Sequence, residues 1–175
     1  MTLDLESMAI EVPPVEGHPN RESFRGVLTL VDVASDRPPS GSRGHRVVLT
    51  RSAAEKALPS LLGMALDYSP SWDRHDVRRK IGIITSAEVV GRQLEVGGYL
   101  YGHDFPDIVD EINKSARKRP PAGARGDLGM SYEVTEAQVV DLRAQVWILT
   151  HVTFTGAAIL RHEKAAYNDT WIELQ

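Results

Sequence analysis

Branched apolar residues along this chain occur in short runs that alternate with polar positions, a pattern typical of β-strands. The pattern predicts eight strands: Phe24–Val33, Arg46–Leu49, Ile81–Val90, Gln93–Tyr101, 128–134, 137–142, 144–156 and Trp171–Leu174. Two of these runs are separated only by Gly91-Arg92. Because glycine in the first position suits a type II′ turn, we expect a β-hairpin there.

Helical spacing is found in fewer segments. After the strand that ends at Leu49, Ser52 and Glu55 fit a capping box, and good helix formers follow them. In 105–118, apolar residues recur every three or four positions, which predicts a second helix, and 161–167 predicts a third, short one. Many strands with two or three helices between them indicate an α+β fold, with a mostly antiparallel β-barrel or sheet.

The chain of 175 residues is long enough for one domain with a substantial core. Residues 1–22 are mixed in polarity and contain Pro13, Pro14 and Pro19, so we expect a loose N-terminal arm with one short strand near Ala9–Val12. Residues 23–175 are then expected to form a single domain. A basic loop rich in proline and glycine at 117–126 interrupts this domain.

Composition removes several classes of function. The net charge of −4 offers no electrostatic basis for binding nucleic acid. No apolar run approaches the roughly 20 residues of a membrane span, so we expect no membrane partner. The chain has no cysteine, which excludes disulfides, a thiol nucleophile and thiolate metal sites.

Three residues are candidates for catalysis. Ser131 follows Gly129-Met130 at the start of a predicted strand, His151 lies in another apolar strand, and His75 lies in a charged loop. A serine nucleophile needs a base to take its proton, a group to orient that base, and donors for the oxyanion. Histidine suits the role of base because its unperturbed pKa is about 6.5. Taken singly, each residue also fits an ordinary structural role.

The segments around these residues resemble the capsid-maturation serine proteases, which are the prohead proteases of tailed phages and the herpesvirus assemblins. The resemblance covers roughly residues 24–160. Its motifs are the strand Phe24–Leu28, a loop that ends at His75, the strand Ile81–Ile83, the second hairpin strand Leu94–Leu100, the serine motif Leu128–Glu133 and the strand His151–Ala158.

This resemblance implies an assemblin-like fold and a serine endopeptidase that needs no cofactor and no metal. It implies Ser131 as nucleophile, His75 as general base and His151 as the third member of a Ser-His-His triad. Oxyanion donors are implied at Gly156, Ala157 and Ala158, with support from Arg161. The implied substrates are phage scaffold and major capsid proteins, the implied location is the immature capsid in the host cytoplasm, and the implied assembly is a homodimer.

Three alternatives remain open at the level of sequence. Many phage relatives are thought to use a carboxylate as third member, and here Glu133 or Asp141 could take that place. The chain could instead be a catalytically silent assembly or scaffold-associated domain of the same fold. A metal site of His75, His103 and Asp104 or Asp76 is disfavoured, because these residues fall in predicted loops without His-x-x-x-His spacing.

Overall fold

The structure is a computed structural model that describes residues 17–118 and 126–175. The predicted strand at Ala9–Val12 and most of the basic loop lie outside these residues. The strands are Glu22–Leu30 (β1), Arg46–Leu49 (β2), Ala65–Tyr68 (β3), Lys80–Val90 (β4), Gln93–Leu100 (β5), Leu128–Val139 (β6), Val146–Arg161 (β7) and Trp171–Leu174 (β8). The helices are Arg51–Ala57 (α1) and Pro106–Arg117 (α2), and short 3-10 turns occur at Leu58–Leu61 and His162–Lys164.

The eight strands form one sheet in the order β2-β7-β3-β4-β5-β1-β8, with β6 on the other side of β7. Strands β2 and β3 run parallel to β7, and the remaining pairs are antiparallel. The sheet curls: a Cβ built on Gly26 of β1 would lie 2.7 Å from the Met130 sulfur of β6. The predicted α+β class and the mostly antiparallel sheet are therefore confirmed.

The hairpin prediction is confirmed, since β4 and β5 pair across Gly91, whose φ is +58°. Two predicted strands, 128–134 and 137–142, are instead one strand, β6. Its pairing with β7 shifts register near Glu136, whose φ is +54°, and this irregularity accommodates the polar interruption.

Two helix predictions are corrected. The cap of α1 is Thr50, whose Oγ1 accepts from the Ala53 amide, so Ser52 lies inside the helix. The helix predicted at 161–167 is only a 3-10 turn, because β7 continues to Arg161 and buries the apolar residues before it.

The described part of the predicted arm is attached to the body of the protein. The Asn20 side chain accepts from the His103 amide at 3.0 Å and donates to Asp104 at 2.8 Å. Strand β1 then begins at Glu22.

One large core joins the sheet to both helices. Its fully buried members include Phe24, Leu28, Leu61, Leu66, Ile81, Ile84, Leu94, Leu100, Ile112 and Met130. Strand β7 crosses this core with β6 along one edge and, at 157–159, β3 along the other. The side chains discussed below project from these three strands and from the loop after β3.

Candidate active site

Ser131 and His75 meet although 56 positions separate them in the sequence. Ser131 projects from β6, and His75 lies in the loop between β3 and β4. The His75 Nε2 atom lies 3.2 Å from Ser131 Oγ, within hydrogen-bonding distance. The imidazole is only 13% exposed, so the ring is largely shielded from water.

The loop that carries His75 is held by its own hydrogen bonds. The Ser69 and Ser71 hydroxyls donate to Asp73 Oδ1 at 2.9 and 2.6 Å, and the Asp73 amide donates back to Ser69 Oγ. The hydroxyls of Ser71 and Ser69 hold the pKa of the Asp73 carboxyl below its ordinary value. Trp72 has a φ of +55°, and its carbonyl accepts from the Arg161 amide at 2.8 Å, which ties the loop to the end of β7.

A buried carboxylate lies on the far side of the imidazole. Asp67 projects from β3, its side chain is 1% exposed, and its Oδ2 lies 3.7 Å from His75 Nδ1. The Asp76 amide donates to the other oxygen, Oδ1, at 3.0 Å. The His75 imidazole therefore lies between the serine hydroxyl and an aspartate.

The sheet register explains this arrangement. Ala158 of β7 pairs with Ser131 on one side and with Asp67 on the other, so the three residues form one row across three strands. Neighbouring strands are about 4.8 Å apart, so the serine and the aspartate are separated by about 10 Å at their Cα atoms. The small side chain of Ala158 leaves space between them, and the imidazole lies between the serine and the aspartate, 3.2 Å from Ser131 Oγ and 3.7 Å from Asp67 Oδ2.

The next row contributes a second carboxylate. Glu133 pairs with Gly156, and its Oε1 lies 3.9 Å from His75 Nδ1. A Cβ on Gly156 would lie 3.0 Å from Glu133 Oε2, so glycine gives this side chain room to lie over the sheet. Glu133 is 49% exposed, whereas Asp67 is buried. Among the described residues neither His75 Nδ1 nor Asp67 Oδ2 has a hydrogen-bond partner, and the gap between these two atoms is slightly too long for one.

The prediction of His151 as third member is corrected by the structure. His151 is exposed and pairs with Gln138, seven positions along β7 from Ala158. At about 3.3 Å per residue, it lies about 23 Å from the row that contains Ser131. Asp141 is also remote, in the exposed turn after β6, where it accepts from the Arg143 amide. Of the acidic alternatives, only Glu133 lies at the site.

Two of the predicted oxyanion donors, Ala157 and Ala158, are corrected as well. Ala157 and Ala158 have strand partners on both sides, so their amides belong to the sheet ladders. The Arg161 amide donates to the Trp72 carbonyl, and its exposed guanidinium lies 3.9 Å from Glu163, so the supporting role of Arg161 stays a prediction. Gly156 pairs with Glu133 and serves the site by its small size.

The alternative of a metal site gains no support. His103 is 77% exposed beside Asp104, in the turn before α2 rather than next to His75. Within residues 17–118 and 126–175, no group of three or more His, Cys, Asp or Glu side chains could hold a metal ion.

Sequence reasoning missed Asp67. Strand β3 has only four residues, Ala65–Tyr68, too few for a clear alternating pattern. The available signal was Asp67 itself, an acidic residue inside the otherwise apolar run Ala65–Tyr68. A carboxylate that is buried normally has a charged or hydrogen-bonding partner, so such a residue is a candidate for a site.

No protein-family model matches this chain, and no curated protein matches it. Separately, the helices found in the described part of the chain are too short or too polar to cross a membrane.

Proposed function

We propose that this chain is a serine endopeptidase in which Ser131 is the nucleophile, His75 the general base and Asp67 the carboxylate that orients the base. The observation that carries the proposal is the 3.2 Å contact between Ser131 Oγ and His75 Nε2. Support comes from Asp67 on the Nδ1 side of the same imidazole, because nucleophile, base and orienting group then follow in the order that acyl transfer requires.

In this mechanism the Ser131 proton passes to His75 Nε2 while Oγ attacks the carbonyl carbon of a peptide bond. The imidazolium that forms is stabilised by Asp67 and Glu133, which lie 3.7 and 3.9 Å from Nδ1. His75 then gives the proton to the leaving amine, and the acyl group remains on Ser131. A water molecule, activated by the same imidazole, hydrolyses this acyl-enzyme.

The biological setting we propose is the maturation of a phage prohead, with scaffold and major capsid proteins as substrates inside the immature capsid in the host cytoplasm. The proposal includes an assemblin-like fold and a homodimer. It is supported by agreement between the sequence resemblance and the contact of Ser131 with His75. Two of the segments that resemble prohead proteases are 128–133 and the loop ending at His75, and these two segments contribute the serine and the imidazole that lie 3.2 Å apart.

Labelling with a serine-directed phosphonate tests the nucleophile. The wild-type protein should gain the mass of one phosphonyl group, and Ser131→Ala should gain none. Ser52→Ala removes an exposed hydroxyl from α1 and is the matched control, so it should label like the wild type. Equal labelling of Ser131→Ala and wild type would refute the assignment.

Co-expression tests the substrates. The wild-type chain, expressed with candidate scaffold and capsid chains, should produce fragments that mass analysis detects and that Ser131→Ala does not produce. Because removal of a triad nucleophile lowers the rate by several orders of magnitude, the difference should be all or none on the time scale of expression.

A second candidate function is a catalytically silent assembly domain of the same fold. The observation that favours it is the gap of 3.7 Å between His75 Nδ1 and Asp67 Oδ2, which leaves the base without a hydrogen-bonded orienting group. A silent domain would fail to react with the phosphonate and would still bind scaffold or capsid chains.

A further inference from the structure

The buried carboxylate of Asp67 has two basic neighbours at the same oxygen. His75 Nδ1 lies 3.7 Å from Oδ2, and Lys80 Nζ lies 3.6 Å from it. The Lys80 side chain is 41% exposed, so its ammonium group reaches the carboxylate from the solvent side. Two basic side chains thus converge on one oxygen that no hydrogen bond from the described residues satisfies.

The charge of Asp67 needs a counter-ion before catalysis begins. A general base must be neutral in order to accept the serine proton, so His75 carries no charge at that stage. A buried carboxylate without a compensating charge is costly. Lys80 is positively charged whether or not His75 is, and it therefore fits the role of permanent counter-ion.

An irregularity in the sheet places Lys80 at this position. Strand β3 pairs with β4 as Ala65↔Ile83 and Leu66↔Gly82, and the register then shifts so that Asp67 faces Lys80. Continued regular pairing would have placed the fully buried Ile81 opposite Asp67. A bulge of this kind re-aims a side chain, and here it brings an ammonium group to a carboxylate.

We propose that Lys80 is a positioning residue of this site: it is the fixed counter-ion of Asp67 while His75 is neutral, and it shares that oxygen with the imidazole once His75 holds the serine proton. The proposal rests on the serine-hydrolase function proposed above. It adds a fourth residue, which acts through Asp67 and does not touch the substrate.

The proposal makes an electrostatic prediction of definite sign. The carboxylates near the imidazole are Asp67 from β3 and Glu133 from β6, and Lys80 from β4 lies against the same Asp67 oxygen. In the loop itself, Asp76 follows His75 and pairs with Arg78 and Arg79. A nearby ammonium disfavours the protonated imidazole, and a nearby carboxylate favours it. Loss of Lys80 and loss of Glu133 should therefore shift proton uptake by His75 in opposite directions.

The experiment compares Lys80→Met, Lys80→Arg and Glu133→Gln with wild type, and uses Lys56→Met as the control for loss of an exposed lysine. Lys56 lies in the last turn of α1. We expect Lys80→Met to lower the rate of phosphonylation about three- to tenfold on the acid limb of the rate–pH profile. The acid limb of its rate–pH profile should move upward by about half a unit to one unit, and that of Glu133→Gln should move downward. Lys80→Arg should restore the wild-type profile, and Lys56→Met should not alter it.

A second readout does not depend on catalysis. The ¹⁵N signals of the His75 ring, followed by NMR against pH, should show the same opposite displacements of the titration midpoint in Lys80→Met and Glu133→Gln. If Lys80→Met does not fold, Lys80→Gln takes its place in both measurements.

The two readouts separate the two proposals. If the titration midpoint of the His75 ring is the same in wild type and in Lys80→Met (or its replacement Lys80→Gln), the proposed role of Lys80 is overturned, whatever the activity. A wild-type protein that never reacts with the phosphonate overturns the proposed function, and the NMR midpoints still decide whether Lys80 acts on the Asp67–His75 pair.

Discussion

At the scale of single residues, the site depends on one small side chain between two functional ones. Ser131 and Asp67 both pair with Ala158, which is fully buried, and the imidazole of His75 lies between the serine and the aspartate. A larger residue at 158 would occupy the space of the imidazole. The geometry therefore assigns Ala158 a role in shaping the site, in place of the oxyanion role that the resemblance implied.

The identity of the third member is open to a direct test with Asp67→Asn, Glu133→Gln and His151→Ala. Asparagine keeps the shape of Asp67 but removes the charge that stabilises the imidazolium, so we expect the phosphonylation rate to fall by about 10³–10⁴. Glu133→Gln should lose less, because Glu133 is half exposed and its charge is screened by water. His151→Ala should react like the wild type, since it lies far along β7. A larger loss in Glu133→Gln than in Asp67→Asn would make Glu133 the third member.

Ala158→Val tests the space beneath the imidazole. The two additional methyl groups point into the row shared by Ser131 and Asp67, and overpacking of this kind costs about 1–3 kcal/mol of stability. Displacement of the base by about 1 Å should lower the phosphonylation rate about 100-fold. Ala158→Gly removes a methyl group without filling the space and is the matched comparison, with a much smaller loss of rate. Equal rates in the two variants would show that the imidazole does not rest on this position.

At the scale of elements, the loop between β3 and β4 is the part that must be held in place. Trp72 adopts a left-handed backbone conformation, which is unfavourable for a bulky residue and costs about 1–3 kcal/mol. The bonds of Asp73 to Ser69 and Ser71, together with the bond from the Arg161 amide, offset this cost. The loop thereby presents His75 to a strand that lies far away in sequence.

Asp73→Ala should loosen this loop. Without the acceptor for both serine hydroxyls, we expect faster amide hydrogen exchange in 69–76 and slower phosphonylation, whereas Asp73→Asn keeps an acceptor oxygen and should lose less.

The same loop should respond to acid. In the wild type, the hydroxyls of Ser71 and Ser69 lower the pKa of Asp73 below its ordinary value of 3.8. The stabilisation is therefore complete above about pH 3.8 and is lost as the pH falls below it. The NMR signal of the Asp73 amide, followed from pH 6 to pH 2.5, checks this, and an amide that does not change would contradict it.

At the scale of the whole molecule, the curled sheet encloses hydroxyl groups as well as apolar side chains. The Tyr167 hydroxyl donates to the carbonyls of Val33 and Val47 at 3.0 and 3.2 Å, and a smaller core cluster of Val27, Leu30 and Tyr167 packs around it. Burial raises the pKa of Tyr132 to about 12, although its hydrogen bond with Thr29 acts in the opposite direction. Burial also raises the pKa of Tyr167. The fold therefore keeps both phenols neutral in a range where they would ionise in the unfolded chain.

This burial predicts a loss of stability at alkaline pH. A phenol whose pKa is raised on folding stabilises the fold fully below its unfolded pKa of about 10, and the contribution disappears as the pH rises towards the folded value of about 12 for Tyr132. The free energy of unfolding, measured with denaturant between pH 9.5 and pH 12, should fall steeply in wild type and less steeply in Tyr132→Phe. The same slope in both proteins would show that the Tyr132 hydroxyl does not ionise on unfolding in this range.

The local elements follow from the sequence because local forces determine them. Alternating apolar residues and the glycine at 91 sufficed for the β4–β5 hairpin, and helical spacing sufficed for α2. The placement of Ser131 on a strand and of His75 in a loop also followed from the sequence. The hairpin, α2 and the positions of Ser131 and His75 within their elements are thus determined by residues close together in the sequence. The number and order of such elements also indicated the α+β class.

The composition of the site was decided only by the tertiary structure. Asp67 joins it because β3 pairs in parallel with β7, a contact between segments about 90 positions apart that no local pattern encodes. His151 is excluded for the related reason that the register of β6 on β7 places Ala158, and not His151, opposite Ser131. The bulge that turns Lys80 towards Asp67 likewise depends on the pairing of β3 with β4. Residue types that suit catalysis can be recognised in a sequence, but strand register determines which of them share a site.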